Sequence, residues 1–394
     1  MTHSDIADDD TTAPDGDAAP SLPELRLSLP AVEHNIELMA AWCRDRGVEL
    51  CPHIKTTMTR PIVERQLRAG AWGVTVATVR QASVALGWGM RRILIANEVI
   101  HRPDLEAMRS WLDAHRSLEL YLLVDSLAGL SLAATVMRGA ANPLRVLIDV
   151  GAPDGRSGVR EVSAALALAR ACEDKPGIVL AGVAGYEGVR PNRRDADILA
   201  QVDAHCRTVV EAFHAVSPRI RIERPVFSMG GSAFPDRVID AIADLPDLSG
   251  RTGNPPVPVL RSGCYVTHDH GTYAEVSPVP GLRAALTVRA VVLSAPEPGL
   301  IVVGAGKREL PYDAGLPVVV SARDAQGTPR RAAKATSARI YDHHLVLTEA
   351  EGLDVGDVVD LGISHPCSAF DRWPDITVID DDGRARTVWH PQFR

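Results

Sequence analysis

Only four lysines stand among the 42 basic residues of this 394-residue chain: Lys55, Lys175, Lys307 and Lys334. Chemistry that needs a primary amine therefore has four candidates. Lys55 closes the run Cys51-Pro52-His53-Ile54-Lys55, which reads as the end of a buried strand. At the C-terminal end of a barrel strand a lysine faces the site. Desolvation there lowers its pKa and makes it a competent amine for a Schiff base. Two glycine-bearing turns offer an anion cradle. Ser228-Met229-Gly230-Gly231-Ser232 ends one strand, and Arg261-Ser262-Gly263-Cys264-Tyr265 ends the next. Glycine lets backbone N–H groups approach an anion, and the hydroxyl of Ser232 or Tyr265 can complete the cradle. A cradle plus a buried lysine points to pyridoxal phosphate. The plain alternatives are a surface lysine at a strand edge and a tight turn.

A third constellation is Ser364-His365-Pro366-Cys367. In extended backbone, residues i and i+2 project to one face, so His365 and Cys367 can ligate one metal. Imidazole plus thiolate suits zinc; magnesium or manganese becomes possible where carboxylate or water completes the shell. The plain alternative is a turn with an incidental cysteine. His343-His344 can present at most one ring to a site. His268-Asp269-His270 is a lesser alternative metal cluster. Cys264 reads as a small packing residue rather than a nucleophile.

These groups need elements to position them. From residue 48 onward, eight strand candidates alternate with helical stretches: 48–55, 72–78, 91–98, 118–125, 144–151, 178–186, 224–229 and 257–265. Near-continuous apolar runs such as Arg145-Val146-Leu147-Ile148 suit strands buried on both faces. Eight such units predict a (β/α)8 barrel, with a helix over 30–46 before its first strand. An open doubly wound sheet is the alternative. After about residue 275, strand-like runs follow one another without helices, separated by turns such as Asp380-Asp381-Asp382-Gly383. The expected organisation is an acidic disordered tail over 1–20, a cofactor-binding barrel over 21–272 and an all-β domain over 273–394 that carries the metal site.

Composition excludes several classes. Hydrophobic residues make up 46% and charged residues 23%, as in an ordinary globular enzyme. No apolar run is long enough to span a bilayer, so no membrane partner is expected. The net charge of −8 comes mostly from six aspartates in the first twenty residues. The remainder is nearly neutral, and no basic stripe suggests nucleic acid. The tail lacks the basic and apolar regions of a signal peptide, so a cytoplasmic location is expected. Six scattered cysteines without a C-x-x-C are not a disulfide framework.

Taken in order, the motifs resemble one family. Pro52-His53-Ile54-Lys55-Thr56 resembles the Schiff-base lysine motif of the fold-type III pyridoxal phosphate enzymes, in the branch of D-serine dehydratase and D-threonine aldolase. Asp149-Val150-Gly151 with Arg156-Ser157-Gly158 follows, then Gly185-Tyr186-Glu187-Gly188 and Gly230-Gly231-Ser232. After these come Arg261-Ser262-Gly263-Cys264-Tyr265 with Asp269, Gly304-Ala305-Gly306-Lys307-Arg308, Asp342 with His344, and His365-Pro366-Cys367. The likeness covers residues 22–394. It is nearest to the bacterial D-serine dehydratase-like amino acid deaminases.

The resemblance implies an alanine-racemase-type barrel followed by a β domain, assembled as a homodimer. It assigns Lys55 to the cofactor aldehyde, Arg156 to its phenolic oxygen and Tyr186 to its ring. It also implies a divalent metal on the H-x-C pair. Aldolases of the branch carry H-x-D and dehydratases H-x-C, so Cys367 points to a dehydratase. The expected reaction turns a small D-3-hydroxy amino acid into a 2-oxo acid and ammonia. Retro-aldol cleavage, racemisation and a non-enzymatic cofactor carrier are the alternatives. Two stretches differ from relatives: Thr57-Met58 replaces His-Lys, and Gly-Gly-Ser-Ala replaces Gly-Gly-Thr-Pro.

Overall fold

The structure is a computed structural model that describes residues 21–252 and 254–393. The expected disordered tail, 1–20, lies outside the described residues. The chain divides into two compact units.

The first unit takes in residues 36–265 and 275–281. It is built on eight parallel strands: β2 (Glu49–Leu50), β3 (Val74–Val76), β4 (Arg92–Glu98), β5 (Glu119–Val124), β6 (Leu144–Val150), β7 (Ile178–Gly185), β8 (Val226–Met229) and β9 (Val257–Leu260). They pair in the order β2-β9-β8-β7-β6-β5-β4-β3. The two ends meet, because Trp72 N–H donates to Leu50 O at 2.7 Å and Thr75 N–H to Pro52 O at 2.9 Å. The sheet is therefore the expected barrel and not an open sheet. Its interior is filled by Cys51, Leu94, Tyr121, Leu123, Leu147, Ala181 and Val259, all buried. Side chains buried on both faces explain the continuous apolar runs seen in the sequence.

The helices between the strands start where the sequence offers caps. Thr78, Ser126 and Asp195 each accept a backbone N–H three residues on, and Pro61 sits in the first turn of the helix Arg60–Arg68. Two boundaries differ from expectation. The first strand ends at Leu50, so Lys55 stands beyond it on a 3-10 turn over Ile54–Thr56. The last strand ends at Leu260, leaving Arg261–Gly263 as loop before a 3-10 turn over Cys264–Val266. Proline at 52 and glycine at 263 are poor strand continuers, which accounts for both early ends.

The second unit takes in the described residues up to 35, then 266–274 and 282–392. Its sheet holds β10 (Leu286–Glu297), β11 (Leu300–Val303), β12 (Val318–Arg323), β13 (Lys334–Ile340), β14 (Leu345–Glu351), β15 (Val358–Gly362), β16 (Ile376–Ile379) and β17 (Ala385–Trp389). These fall where the sequence after about residue 275 reads as strand-like runs without helices. The sheet also recruits β1 (Glu24–Ser28), antiparallel to β10 and parallel to β16. β1 lies in the part of the sequence assigned to the barrel, and it was not foreseen. Its Leu25 and Leu27 are buried, while Arg26 pairs with Glu24 at 3.3 Å and approaches Asp360. A five-residue strand at the head of the chain has no partner in its own neighbourhood, so only the tertiary fold shows where it pairs.

Candidate active site

Lys55 is half-buried on the turn that follows β2. Its neighbour His53 forms a parallel bridge with Thr75. Burial, then the charges of Lys55 and Arg261, push the His53 pKa well below the usual imidazole range, so its ring is neutral. His53 Nδ1 is enclosed and has no hydrogen-bond partner among the described residues. Arg156 is also among the charges that act on this ring. Its guanidinium lies 5.3 Å from the centroid of the Tyr186 ring. The strand ends thus gather Lys55, His53, Arg156, Tyr186 and Arg261 at one end of the barrel, where barrel enzymes place their chemistry.

The glycine turns are held by side chains that their sequence does not reveal. Glu187 is fully buried, and its carboxylate accepts Gly231 N–H at 2.6 Å and Gly230 N–H at 3.2 Å. Burial pushes the Glu187 pKa up, while these N–H groups and Arg261 hold it down. Two N–H groups expected to face an anion thus meet the Glu187 carboxylate. Gly230 is needed for its backbone, at φ +99°. Gly231 is needed for space, since a Cβ there would lie 2.9 Å from the Tyr186 ring. A Cβ on Gly263 would come within 2.4 Å of His53 O. The serines close the arrangement. Ser262 Oγ donates to Gly231 O at 2.6 Å, and Ser232 Oγ accepts Cys264 N–H at 3.2 Å.

Below the turns, Arg261 is buried and donates to Ser228 O at 2.8 Å, Ser228 Oγ at 2.9 Å and Gly185 O. Ser228 therefore serves Arg261 in the barrel interior. Tyr265 also needs correcting. Its hydroxyl accepts a hydrogen bond from Gln66 Nε2 at 2.9 Å and lines a separate small cavity with Cys43 and Gln66, so it does not complete the cradle. Cys264 is buried.

Three carboxylates stand at neighbouring strand ends. Glu98 hydrogen-bonds Asp149, and burial together with Asp149 holds its pKa up at about 7. Asp149 accepts Ser157 Oγ at 2.9 Å, and Asp125 accepts Gly158 N–H at 3.1 Å. These contacts fasten the loop that carries Arg156. The sequence reading passed over Glu98 altogether. Its only signal was a charge at the end of an apolar strand.

In the sheet unit, His365 is extended and Pro366–Ser368 forms a 3-10 turn. His365 Nδ1 is 2.7 Å from Asp313 Oδ2. The ring also hydrogen-bonds the Cys367 side chain. Despite burial, Cys367 and Asp313 together raise the His365 pKa to about 9. The H-x-C pair therefore converges, though across a 3-10 turn and not in the extended backbone expected from its spacing. His268-Asp269-His270 does not form a metal cluster among the described residues. Asp269 spends its carboxylate on the N–H groups of Gly271, Tyr273 and Ala274. His343 Nδ1 instead pairs with Glu309 at 2.8 Å.

The donor set fits the groups the sequence suggests. An amine, a cation stacked on an aromatic ring, serine hydroxyls and glycine turns suit an aldehyde-bearing phosphate cofactor. An imidazole and a thiol in contact suit zinc. Among the described residues no helix is long and apolar enough to cross a membrane.

Comparison with known proteins agrees. Residues 27–234 match the alanine racemase N-terminal domain, and residues 285–379 the putative serine dehydratase domain. The chain is 27% identical to a D-threonine aldolase from Arthrobacter sp over 94% of its length and 92% of that protein's. It is 26% identical to a D-threo-3-hydroxyaspartate dehydratase from Delftia sp. (strain HT23), over 93% of this chain and 96% of that one. The crystal structure of D-threonine aldolase from Filomicrobium marinum superposes with a TM-score of 0.76 at 26% identity, covering 94% of this chain and 95% of that one. With more than half of its length matching the first of these domains, the chain belongs to the alanine racemase N-terminal domain family, among the fold-type III pyridoxal phosphate enzymes.

Proposed function

We propose that the chain is a lyase, dependent on pyridoxal phosphate and a divalent metal, zinc foremost, that dehydrates a D-3-hydroxy amino acid to a 2-oxo acid and ammonia. Candidate substrates are D-serine, D-threonine and D-threo-3-hydroxyaspartate. The observation that carries the reading is the contact between His365 and Cys367, an H-x-C pair where aldolases of the branch carry H-x-D. When bound, the cofactor supplies an aldehyde for the substrate amine and an electron sink for Cα, and the metal supplies Lewis acidity toward the 3-hydroxyl.

The residues divide the work as follows. Lys55 Nζ would hold the cofactor, and as a free amine it is the group placed to take the Cα proton. The neutral His53 beside it adds no competing positive charge. Arg156 would serve the cofactor's phenolic oxygen and Tyr186 its ring. Ser232 and the backbone at Gly263 and Cys264 line the phosphate end, with Glu187 and Arg261 fixing the turns that present them. His365 and Cys367 hold the metal that a leaving hydroxide needs. The reading carries with it a cytoplasmic homodimer that takes a small-molecule substrate.

Retro-aldol cleavage to glycine and an aldehyde is the second reading, and the likeness to the Arthrobacter aldolase favours it. Incubating the holoenzyme with the three candidate substrates separates the two. Keto acid and ammonia in equal amounts support the dehydratase. Glycine as the main product from D-threonine overturns it in favour of the aldolase.

A further inference from the structure

We propose that Asp313 is a positioning residue for the metal centre: its carboxylate holds the Nδ1–H of His365 and so reserves Nε2 for the ion. The inference rests on the reading that His365 and Cys367 hold a divalent cation, and it adds the residue that decides which nitrogen does so.

An imidazole that ligates a metal has given up one of its two protons and keeps the other. Whichever nitrogen bears it cannot ligate, so an acceptor placed beside one nitrogen selects the other. Asp313 Oδ2 lies 2.7 Å from His365 Nδ1, a charge-assisted contact. The ring also hydrogen-bonds the Cys367 side chain, and the ligand atoms of the two residues lie within 4.8 Å of each other, near enough to share one ion. With Nδ1 held by Asp313, Nε2 is the nitrogen left to do so.

Asp313 is not a spare ligand. Its second oxygen, Oδ1, accepts Ser368 Oγ at 2.8 Å. Ser368 belongs to the same 3-10 turn as Cys367. One carboxylate thus fixes the ring of the first ligand and the turn that presents the second. The loop bearing Asp313 is anchored as well, since Ser364 Oγ donates to Gly315 O at 2.7 Å. Tyr273 stands against the His365 ring, with centroids 5.9 Å apart. Asp313 lies 52 positions from His365 in sequence and within no motif, so only the fold identifies it.

The test uses the full chain stripped of metal, titrated with zinc alone against a chromophoric chelator. Partners of ligating histidines are worth about 10–100-fold in metal affinity. Wild type should bind zinc tightly and His365→Ala should not. Asp313→Ala should bind about 10–100-fold more weakly. Asp313→Asn should fall between, because its amide oxygen can accept the Nδ1 proton but lacks the charge. Half-exposed Asp313 should leave the thermal midpoint of the apoprotein nearly unchanged in both variants, so a loss of affinity does not reflect unfolding. With cobalt in place of zinc, the thiolate-to-metal absorption band should survive in Asp313→Asn at saturation, showing that Cys367 still ligates. If wild type and both variants bind zinc equally, the role of Asp313 is wrong while the H-x-C site stands. If wild type binds no zinc, or His365→Ala binds as well as wild type, the H-x-C reading falls and the Asp313 proposal falls with it.

Discussion

Removing the Glu187 carboxylate should loosen the glycine turn that it holds. The side chain is fully buried and accepts two backbone N–H groups, at 2.6 and 3.2 Å. Glu187→Ala leaves both donors without their acceptor. Each unsatisfied buried group costs about 1–3 kcal/mol, and water entering the space left by the side chain recovers part of that. Burial of the carboxylate, which pushes its pKa up, offsets another part. A net loss of about 3 kcal/mol follows, which for a unit of this size is a fall in Tm of roughly 6–12 °C. Glu187→Gln keeps one acceptor and turns an NH2 group toward the other donor, so about half that loss is expected. Differential scanning calorimetry of the apoprotein reads the stability change. A fluorescence titration with pyridoxal phosphate reads whether the turn also presents the cofactor, and affinity should fall in the same order, Ala below Gln. A Glu187→Ala protein that melts within about 1 °C of wild type would refute the reasoning, because a gap that small corresponds to less than one hydrogen bond.

Three further outcomes are expected. Borohydride reduction of the holoenzyme followed by peptide mapping should place the pyridoxyl group on Lys55; a label on Lys307 would move the site out of the barrel. Gly231→Val would set a Cβ 2.9 Å from the Tyr186 ring and 3.3 Å from Glu187 Oε1, and should weaken cofactor binding by about tenfold or more, a cost of at least about 1.4 kcal/mol; unchanged occupancy would place the phosphate elsewhere. Glu98 keeps its proton up to about pH 7 in the fold against 4.5 ordinarily, so the folded state binds the extra proton. Stability should therefore fall as pH rises from about 4.5 to 7 and level off above, and Glu98→Gln should flatten that slope in a series of melts; an identical slope in the variant would reject the assignment.

Much of the architecture was legible because burial leaves a pattern in the sequence. Strands enclosed on both faces must be apolar throughout, so Leu144–Val150 and Ile178–Gly185 read as barrel strands with their ends nearly correct. The β runs from 286 to 389 read equally well, because their turns carry glycine, proline and aspartate. The motifs that point to the cofactor are local too: Lys55 with its preceding proline and histidine, the glycine turns, and the H-x-C pair. The nearness of His365 and Cys367 is also local, although the chain brings them together across a 3-10 turn and not in the extended backbone that the spacing suggests.

The rest needed the tertiary structure, because it depends on which groups a side chain meets across the fold. Gly230 and Gly231 look like free donors until Glu187, 43 and 44 positions earlier, is seen to occupy them. The Tyr265 hydroxyl looked like part of the cradle, yet it turns to Gln66, 199 positions away. β1 pairs with strands more than 250 residues later, where no periodicity can identify its partner. The shared proton of Glu98 and Asp149 and the hold of Asp313 on His365 have the same origin. Residue type sets what a group can donate, accept or ionise, and the sequence states that outright. Which of those capacities is already spent, and which remains for chemistry, is settled by neighbours that only folding brings within hydrogen-bonding distance.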